Sequence, residues 1–417
     1  MVVHFSFRRR DRVAPRTRVA AAVALTCAAV VLPPATAGAG DALVPVATAE
    51  VAFPSTPLWI YGHSYTVSPG VTNTPGKEWM PALAGELEAP AWQSFGVRSS
   101  RMIDTYGDLA RQAPRGPVRD SAWSASRRGA VVLQSEFNDM VNPAPRNAPR
   151  SLSLTTTAAG NYGQTLQASL ALLASSARAD WSTARSSGRW TAASGPAYAG
   201  GSLVWTTTPG AYRETTVDVG SSGTVWIVSW DVSRANSNPY NGRTSISVDG
   251  RTRAVVAERT GAWESIWSSR AGGYQHTGGP RATSISGLTP GRHVVRVAKA
   301  DRGPGAVCLD QLLVQSEAPV PVLVVKDPPP QKAGHWVTAP ANRAIVVANQ
   351  QKLNAQIDAV TRQFANVATV SLAGAGPEDF GWDGLHMSDL GMRYEADLLA
   401  GAFRRHVATY RVASMYQ

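Results

Sequence analysis

The chain has 417 residues, 44% of them apolar and 17% charged, with 13 tryptophans, so it can bury a sizeable core, and global disorder is excluded. The formal net charge is +11, but the arginines are scattered, with no basic helix or aromatic–basic run, and nucleic-acid binding is not indicated. Of the two cysteines, Cys27 lies in the N-terminal leader described next. Cys308 then stands alone, which excludes an intrachain disulfide in the mature chain.

Residues 1–39 read as a secretory signal peptide. Arg8, Arg9, Arg10, Arg12, Arg16 and Arg18 form a basic start, followed by VAAAVALTCAAVVL and the small residues ATAGAG, with cleavage expected near Ala37 or Ala39. The apolar run is too short for a comfortable membrane span, so export without a stable anchor is expected. Removing the leader leaves a net charge of about +6, which favours association with an anionic cell wall or polysaccharide.

From residue 50 to 184, apolar runs alternate with helical patterns. LWIY (58–61) predicts a strand, Trp79, Leu83 and Leu87 a helix face, GAVVLQ (129–134) a second strand, and Tyr162, Leu166, Leu170 and Leu173 another helix. This order predicts a parallel sheet with helices on both faces.

Between 185 and 317 the texture changes to Thr, Ser, Val, Gly and Trp. TVWIVSWDV, TSISVDG, TRAVVAE, GRHVVRVAK and VCLDQLLV are short strand-like runs separated by turn residues, an all-β sandwich pattern of roughly eight to ten strands. At PVPVLVVKDPPP (319–330) the first texture returns. Val347, Leu353, Ile357, Val360 and Phe364 predict a long helix, and VATVSL (367–372) a strand. Ser388 is placed to cap a last helix bearing Met392, Ala396, Leu399 and Phe403. The prediction is one α/β domain (50–184 and 318–415) interrupted by a β-sandwich insertion (185–317).

A nucleophilic serine needs a base, a group to orient that base, and donors for the developing oxyanion. WIYGHSYT (59–66) breaks after an apolar strand and presents Ser64. Six histidines follow the leader. His63 adjoins Ser64, and neighbouring side chains after a strand diverge. His276 and His293 fall in the β insertion, His335 in the loop after the proline run, and His406 near a helix end, where a cation suits the dipole. His386 in FGWDGLHMSDLG remains. Asp383 lies three residues earlier, a spacing that lets a carboxylate reach one ring nitrogen while the other points outward. Asn138 and Asp139 follow the GAVVLQ strand at the edge where sites of open α/β sheets gather, and Gly96 lies in the loop SFGVRSS.

Ser64, Gly96, Asn138, Asp383 and His386 stand in an order that resembles the SGNH (GDSL-type) hydrolases, over residues 55–180 and 319–410. The stretch D-G-L-H-x-S-D-x-G is the most specific part. No G-x-S-x-G is present, which argues against the α/β-hydrolase elbow. The resemblance implies a flavodoxin-like three-layer α/β/α domain that works without cofactor or metal. Its implied roles are Ser64 as nucleophile, His386 as base and Asp383 as its orienting carboxylate. The Ser64 and Gly96 N–H groups and the Asn138 amide would form the oxyanion hole. Two positions depart from the family pattern: His63 replaces the aspartate of Gly-Asp-Ser, and Glu136 replaces the glycine of G-x-N-D. With Asp139 they are expected to border the substrate, where Glu136 would narrow or charge the site.

Within the insertion, ISVDG, GLTPGRHVVRV and LDQLLV resemble jelly-roll, galactose-binding-like modules. That resemblance implies sugar stacking, with Trp226, Trp230, Trp263, Trp267 and Tyr274 as candidates, although buried tryptophans are common in β-sandwiches and core packing is the first expectation for each. The combined expectation is a secreted esterase acting on an acylated glycan or small ester. Its competitors are an O-acyltransferase with the same machinery, a lipase, and a catalytically silent glycan-binding protein. The sequence leaves oligomeric state open.

Overall fold

The computed structural model describes residues 48–50, 56–67, 74–98, 100–112, 129–141, 152–194, 198, 202–232, 242–257, 266–268, 273–276, 278–317, 319–331, 339–409 and 411–413. The leader, Trp263 and His335 lie outside these residues.

A five-stranded parallel sheet runs in the order Trp92–Ser94, Leu58–Gly62, Ala130–Gln134, Val322–Lys326, Val367–Ser371. In chain order that is 2-1-3-4-5, a doubly wound arrangement whose direction reverses between the first and third strands. The two central strands that meet there are apolar runs because both of their faces are covered: Leu58, Ile60, Ala130, Val131, Val132 and Leu133 are all sealed from solvent. The edge strand Trp92–Ser94 is short and exposed, which limits pairing with other chains.

Among the described residues, six helices accompany the sheet: α1 (Trp79–Glu86), α2 (Met102–Gln112), α3 (Phe137–Val141), α4 (Thr156–Leu173), α5 (Pro340–Thr361) and α6 (Asp389–Thr409). α1 packs on α6, while α4 packs on α2 and α5. Thr155 caps α4 by accepting the Ala158 N–H at 3.0 Å, and Pro340 opens α5, where its missing N–H costs no helix bond. Ser388 caps α6 as predicted, its Oγ accepting the Gly391 N–H at 3.3 Å. The strand Trp92–Ser94 and the helices α2 and α3 were not predicted.

The insertion is a sandwich of two antiparallel sheets. One contains Gly278–Ile285, Val225–Val232, Val307–Gln315, Ser202–Thr206 and Thr191–Ser194, with Ser175–Asp180 also paired to Val307–Gln315. The other runs Arg251–Ala257, Arg243–Val248, Gly291–Lys299, Tyr212–Val219, Arg185–Ser187. The sandwich therefore begins at Ser175, ahead of the predicted start at 185, because α4 ends in a strand that is already part of it.

Alternation along Val225–Val232 shows how the two parts join. Val225 and Ile227 enter the sandwich core, whereas Trp226, Val228 and Trp230 enter the core of the α/β domain. Val307–Gln315 divides the same way, with Val307 and Leu309 inward and Cys308 and Leu313 toward the α/β domain. Both faces of these two strands are thus buried. Trp226 and Trp230 are packing residues, not exposed sugar platforms; Trp230 meets Tyr198 edge-on at 4.9 Å.

Candidate functional site

Ser64 leaves the carboxyl end of the first strand, and Asn138 follows the third, so both flank the point where strand order reverses, the usual place for a ligand in such sheets. Ser64 opens a single 3-10 turn, Ser64–Thr66. His386 arrives from the loop before α6. That loop is closed by hydrogen bonds from the Gly381 N–H to His386 O (2.8 Å) and from the Gly384 N–H to Gly381 O (3.1 Å), with Gly384 at φ 65°.

The three side chains form a line. Ser64 Oγ lies 2.9 Å from His386 Nε2, and His386 Nδ1 lies 2.6 Å from Asp383 Oδ2. Asp383 Oδ1 accepts the Leu385 and His386 N–H groups, each at 2.9 Å. Burial pushes the Asp383 carboxyl up, but the hydrogen bonds from the His386 ring and from these two N–H groups outweigh it and hold the group below the usual carboxylate range. An ionised Asp383 keeps the proton on Nδ1 and leaves Nε2 able to take one from the Ser64 hydroxyl.

Every backbone N–H from 63 to 67 except one is engaged within the protein. His63 donates to Gln134 O (3.3 Å), Tyr65 to His63 Nδ1 (3.3 Å), Thr66 to His63 O (3.0 Å) and Val67 to Ser64 O (3.4 Å). Only the Ser64 N–H has no partner among the described residues, so it is free to meet a substrate oxygen. The Asn138 amide donates one hydrogen to Ser100 O at 2.8 Å and has a second to give.

Gly96 differs from expectation. Its N–H donates to Ser94 Oγ at 3.1 Å, so this donor is engaged away from the serine. A Cβ at Gly96 would lie 2.1 Å from Thr66 Oγ1 and 2.5 Å from Thr66 O. The glycine lets the second strand's loop press against the turn that carries Ser64.

The expected substrate contacts of His63 and Glu136 are also corrected, because both residues are fully buried. They belong to one polar cluster beneath Ser64, centred on Asp327. Asp327 Oδ2 lies 2.8 Å from His63 Nε2 and accepts the Phe137 N–H at 2.8 Å; Oδ1 accepts Gln134 Nε2 at 2.9 Å. Gln134 Nε2 also donates to Glu395 Oε1 (2.8 Å), and Glu136 Oε2 accepts the Asp327 N–H (2.8 Å). Burial, then the nearby Asp327 charge, drives the Glu136 and Glu395 carboxyls well above their ordinary range. Asp327 is the hub of the cluster, its two oxygens taking hydrogen bonds from His63, Phe137 and Gln134. Asp139 acts locally: it accepts the Met102 N–H at 2.8 Å at the start of α2, and burial lifts its carboxyl to about 6.

Sequence reasoning missed Asp327 and Glu395. The signals were present: Asp327 stands just beyond the apolar VLVV at a strand's carboxyl end, and Glu395 interrupts the apolar face of the last helix. It also missed Trp382, next to Asp383, which is 73% exposed. Among the described residues, no group of three or more His, Cys, Asp and Glu side chains is placed to hold a metal ion. No helix among them is long and apolar enough to cross a membrane.

No family model matches the chain, and no curated protein matches it. Among solved structures it is similar to an exo-β-1,3-galactanase from Phanerochaete chrysosporium with galactose, at 17% identity and a TM-score of 0.25, over 33% of this chain and 28% of that one. A family 35 carbohydrate-binding module from Clostridium thermocellum matches at 18% identity and a TM-score of 0.25, over 33% of this chain and 94% of the module. A carbohydrate-binding module from Cellvibrio mixtus lichenase 5A in complex with cellotriose matches at 18% identity and a TM-score of 0.24, over 34% of this chain and 96% of the module. At these scores the likenesses assign no activity to this chain.

Proposed function

We propose that the chain is a secreted serine esterase of SGNH type that removes acyl groups, acetyl foremost, from a polysaccharide or cell-wall glycan. The observation that carries this reading is the hydrogen-bonded line Ser64–His386–Asp383, with an unengaged N–H on the nucleophile itself. Ser64 Oγ attacks the ester carbonyl while His386 Nε2 takes the hydroxyl proton. The oxyanion is met by the Ser64 N–H and the second Asn138 amide hydrogen. His386 then gives its proton to the departing sugar oxygen, leaving an acyl-serine. A water deprotonated by His386 attacks that ester, and His386 returns the proton to Ser64 Oγ as the acid departs.

The glycan part of the reading is supported by the resemblance of the insertion's ISVDG, GLTPGRHVVRV and LDQLLV runs to sugar-binding modules, and by the exposed Trp382 next to Asp383. Export is supported by the basic and apolar composition of residues 1–39.

The test is turnover of p-nitrophenyl acetate and of an acetylated polysaccharide by the protein, by Ser64→Ala and by His386→Ala. Loss of about 10³-fold or more in kcat in both variants supports the mechanism. An inert parent that still binds the glycan, with binding unchanged in Ser64→Ala, replaces it with a catalytically silent glycan-binding protein. Transfer of the acyl group to an added glycan in place of water identifies an acyltransferase.

A further inference from the structure

Ser64 is flanked by two Asp–His pairs. The outer pair, Asp383–His386, faces the serine hydroxyl. The inner pair, Asp327–His63, is sealed beneath the turn and touches no solvent. We propose that Asp327–His63 is a positioning device that holds the nucleophile turn in the one conformation leaving the Ser64 N–H available as an oxyanion donor. The proposal rests on the esterase reading for its kinetic consequence, and on the turn's own hydrogen bonds for its structural one.

The hydrogen bonds fix the chemistry of the inner pair. His63 Nδ1 receives the Tyr65 N–H, so that nitrogen must offer a lone pair. The ring proton is therefore on Nε2 and is donated to Asp327 Oδ2 at 2.8 Å. Asp327 is held in turn by the Phe137 N–H and by Gln134, which come from the end of the third strand and the helix after it. His63 thus ties the turn after the first strand to the third and fourth strands, across the crevice where the reaction would occur. The ring is packed against Tyr65, edge-on at 4.9 Å, and near Phe137 at 5.8 Å, which leaves it little room to rotate.

If the Tyr65 N–H lost its acceptor, it would compete with the Ser64 N–H for any oxygen brought to the turn. The turn would no longer present a single donor. His63 and Asp327 touch neither substrate nor the reacting atoms; they act through Ser64.

Two conservative variants separate the two bonds of the ring. In His63→Asn the new side-chain oxygen takes the place of Nδ1 and preserves the bond from Tyr65, so this variant keeps the cap while losing Asp327. His63→Gln carries an amide N–H out to the Nε2 position, preserving the bond to Asp327 while leaving the Tyr65 N–H without an acceptor. Each variant is measured for p-nitrophenyl acetate hydrolysis, for inhibition by an alkylboronic acid that forms a tetrahedral serine adduct, and for amide hydrogen exchange at Tyr65 and Thr66.

The expected result is faster exchange at Tyr65 in His63→Gln than in His63→Asn. In His63→Gln, kcat and boronate affinity should fall together by about 10- to 100-fold, less than the roughly 100- to 1000-fold of an outright lost oxyanion donor because the Ser64 N–H is still present, with KM within about twofold; His63→Asn should recover most of this loss. Asp327→Asn should lie between them. Unchanged Tyr65 exchange in His63→Gln overturns the proposal, as does a rise in KM at constant kcat. A parent inert toward every ester overturns the esterase reading alone, because exchange still decides whether His63 holds the turn.

Discussion

The Trp226 indole stacks on the Phe364 ring, their centroids 5.2 Å apart and their planes 16° from parallel. Trp226 belongs to the sandwich and Phe364 follows α5, so this contact joins the insertion to the α/β domain through a common apolar core. A tethered binding module would melt separately; this arrangement predicts one cooperative transition. Trp226→Ala should lower the stability of the whole chain by about 3–5 kcal/mol, the usual cost of emptying a large aromatic site. Urea unfolding followed by tryptophan fluorescence and by far-UV circular dichroism checks it, and two resolved transitions in the parent would contradict it.

Gly96 supports the site by having no side chain. An alanine there must displace Thr66, two residues after Ser64, and the obstructing atoms include the Thr66 backbone, which cannot rotate away. Gly96→Ala should destabilise the chain by about 1–3 kcal/mol through overpacking and reduce p-nitrophenyl acetate turnover more than about tenfold. Denaturant midpoint and kcat, measured on one preparation, test both halves.

Glu395 gives a pH-dependent prediction with a definite sign. Its folded carboxyl is raised, first by burial and then by Asp327, so the folded chain keeps a proton that the unfolded chain releases. The stability tied to that proton is complete below the ordinary glutamate range and is lost as pH rises toward the folded value. Glu395→Gln keeps an oxygen for Gln134 and has no proton to lose. Its stability relative to the parent should therefore rise between pH 4 and pH 8, by about 1.4 kcal/mol for each pKa unit crossed. Unfolding midpoints at pH 4, 6 and 8 decide it; a constant difference would mean that Glu395 is ionised in the fold.

Trp382 is a large exposed aromatic next to Asp383, and aromatic faces stack on sugar rings. Trp382→Ala should raise KM for an acetylated polysaccharide about tenfold, the effect of roughly 1.4 kcal/mol, and leave p-nitrophenyl acetate kinetics unchanged. Equal losses on both substrates would place Trp382 in support of Asp383 instead.

The parts of this protein legible in its sequence are those in which one residue type carries one physical requirement. LWIY and GAVVLQ announce strands covered on both faces, and the spacing of Asp383 and His386 announces a carboxylate within reach of an imidazole. Three-residue Trp92–Ser94 was invisible because an exposed edge strand needs no apolar pattern. The start of the sandwich at Ser175 was hidden because SSARAD carries little apolar signal; its place comes from pairing with the distant Val307–Gln315. His63 and Glu136 looked like altered substrate contacts because each was read against its neighbours in sequence. Their roles depend on Asp327, which only the fold brings beneath them.

The serine and its candidate base are 322 residues apart, with the entire sandwich and the remaining strands of the parallel sheet between them. A chain emerging N-terminus first displays Ser64 long before His386 can reach it. Throughout that interval the serine is an ordinary alcohol. The Ser64–His386 hydrogen bond forms only when the loop carrying Asp383 and His386 docks, after the sandwich and the last strand have been made. A nick that removes this loop would leave most of the fold's sequence intact and Ser64 without its imidazole partner. The order of the chain thus leaves the Ser64–His386–Asp383 line among the last parts of the α/β domain to be assembled, and under the proposed esterase reading an unfinished molecule has no activated serine.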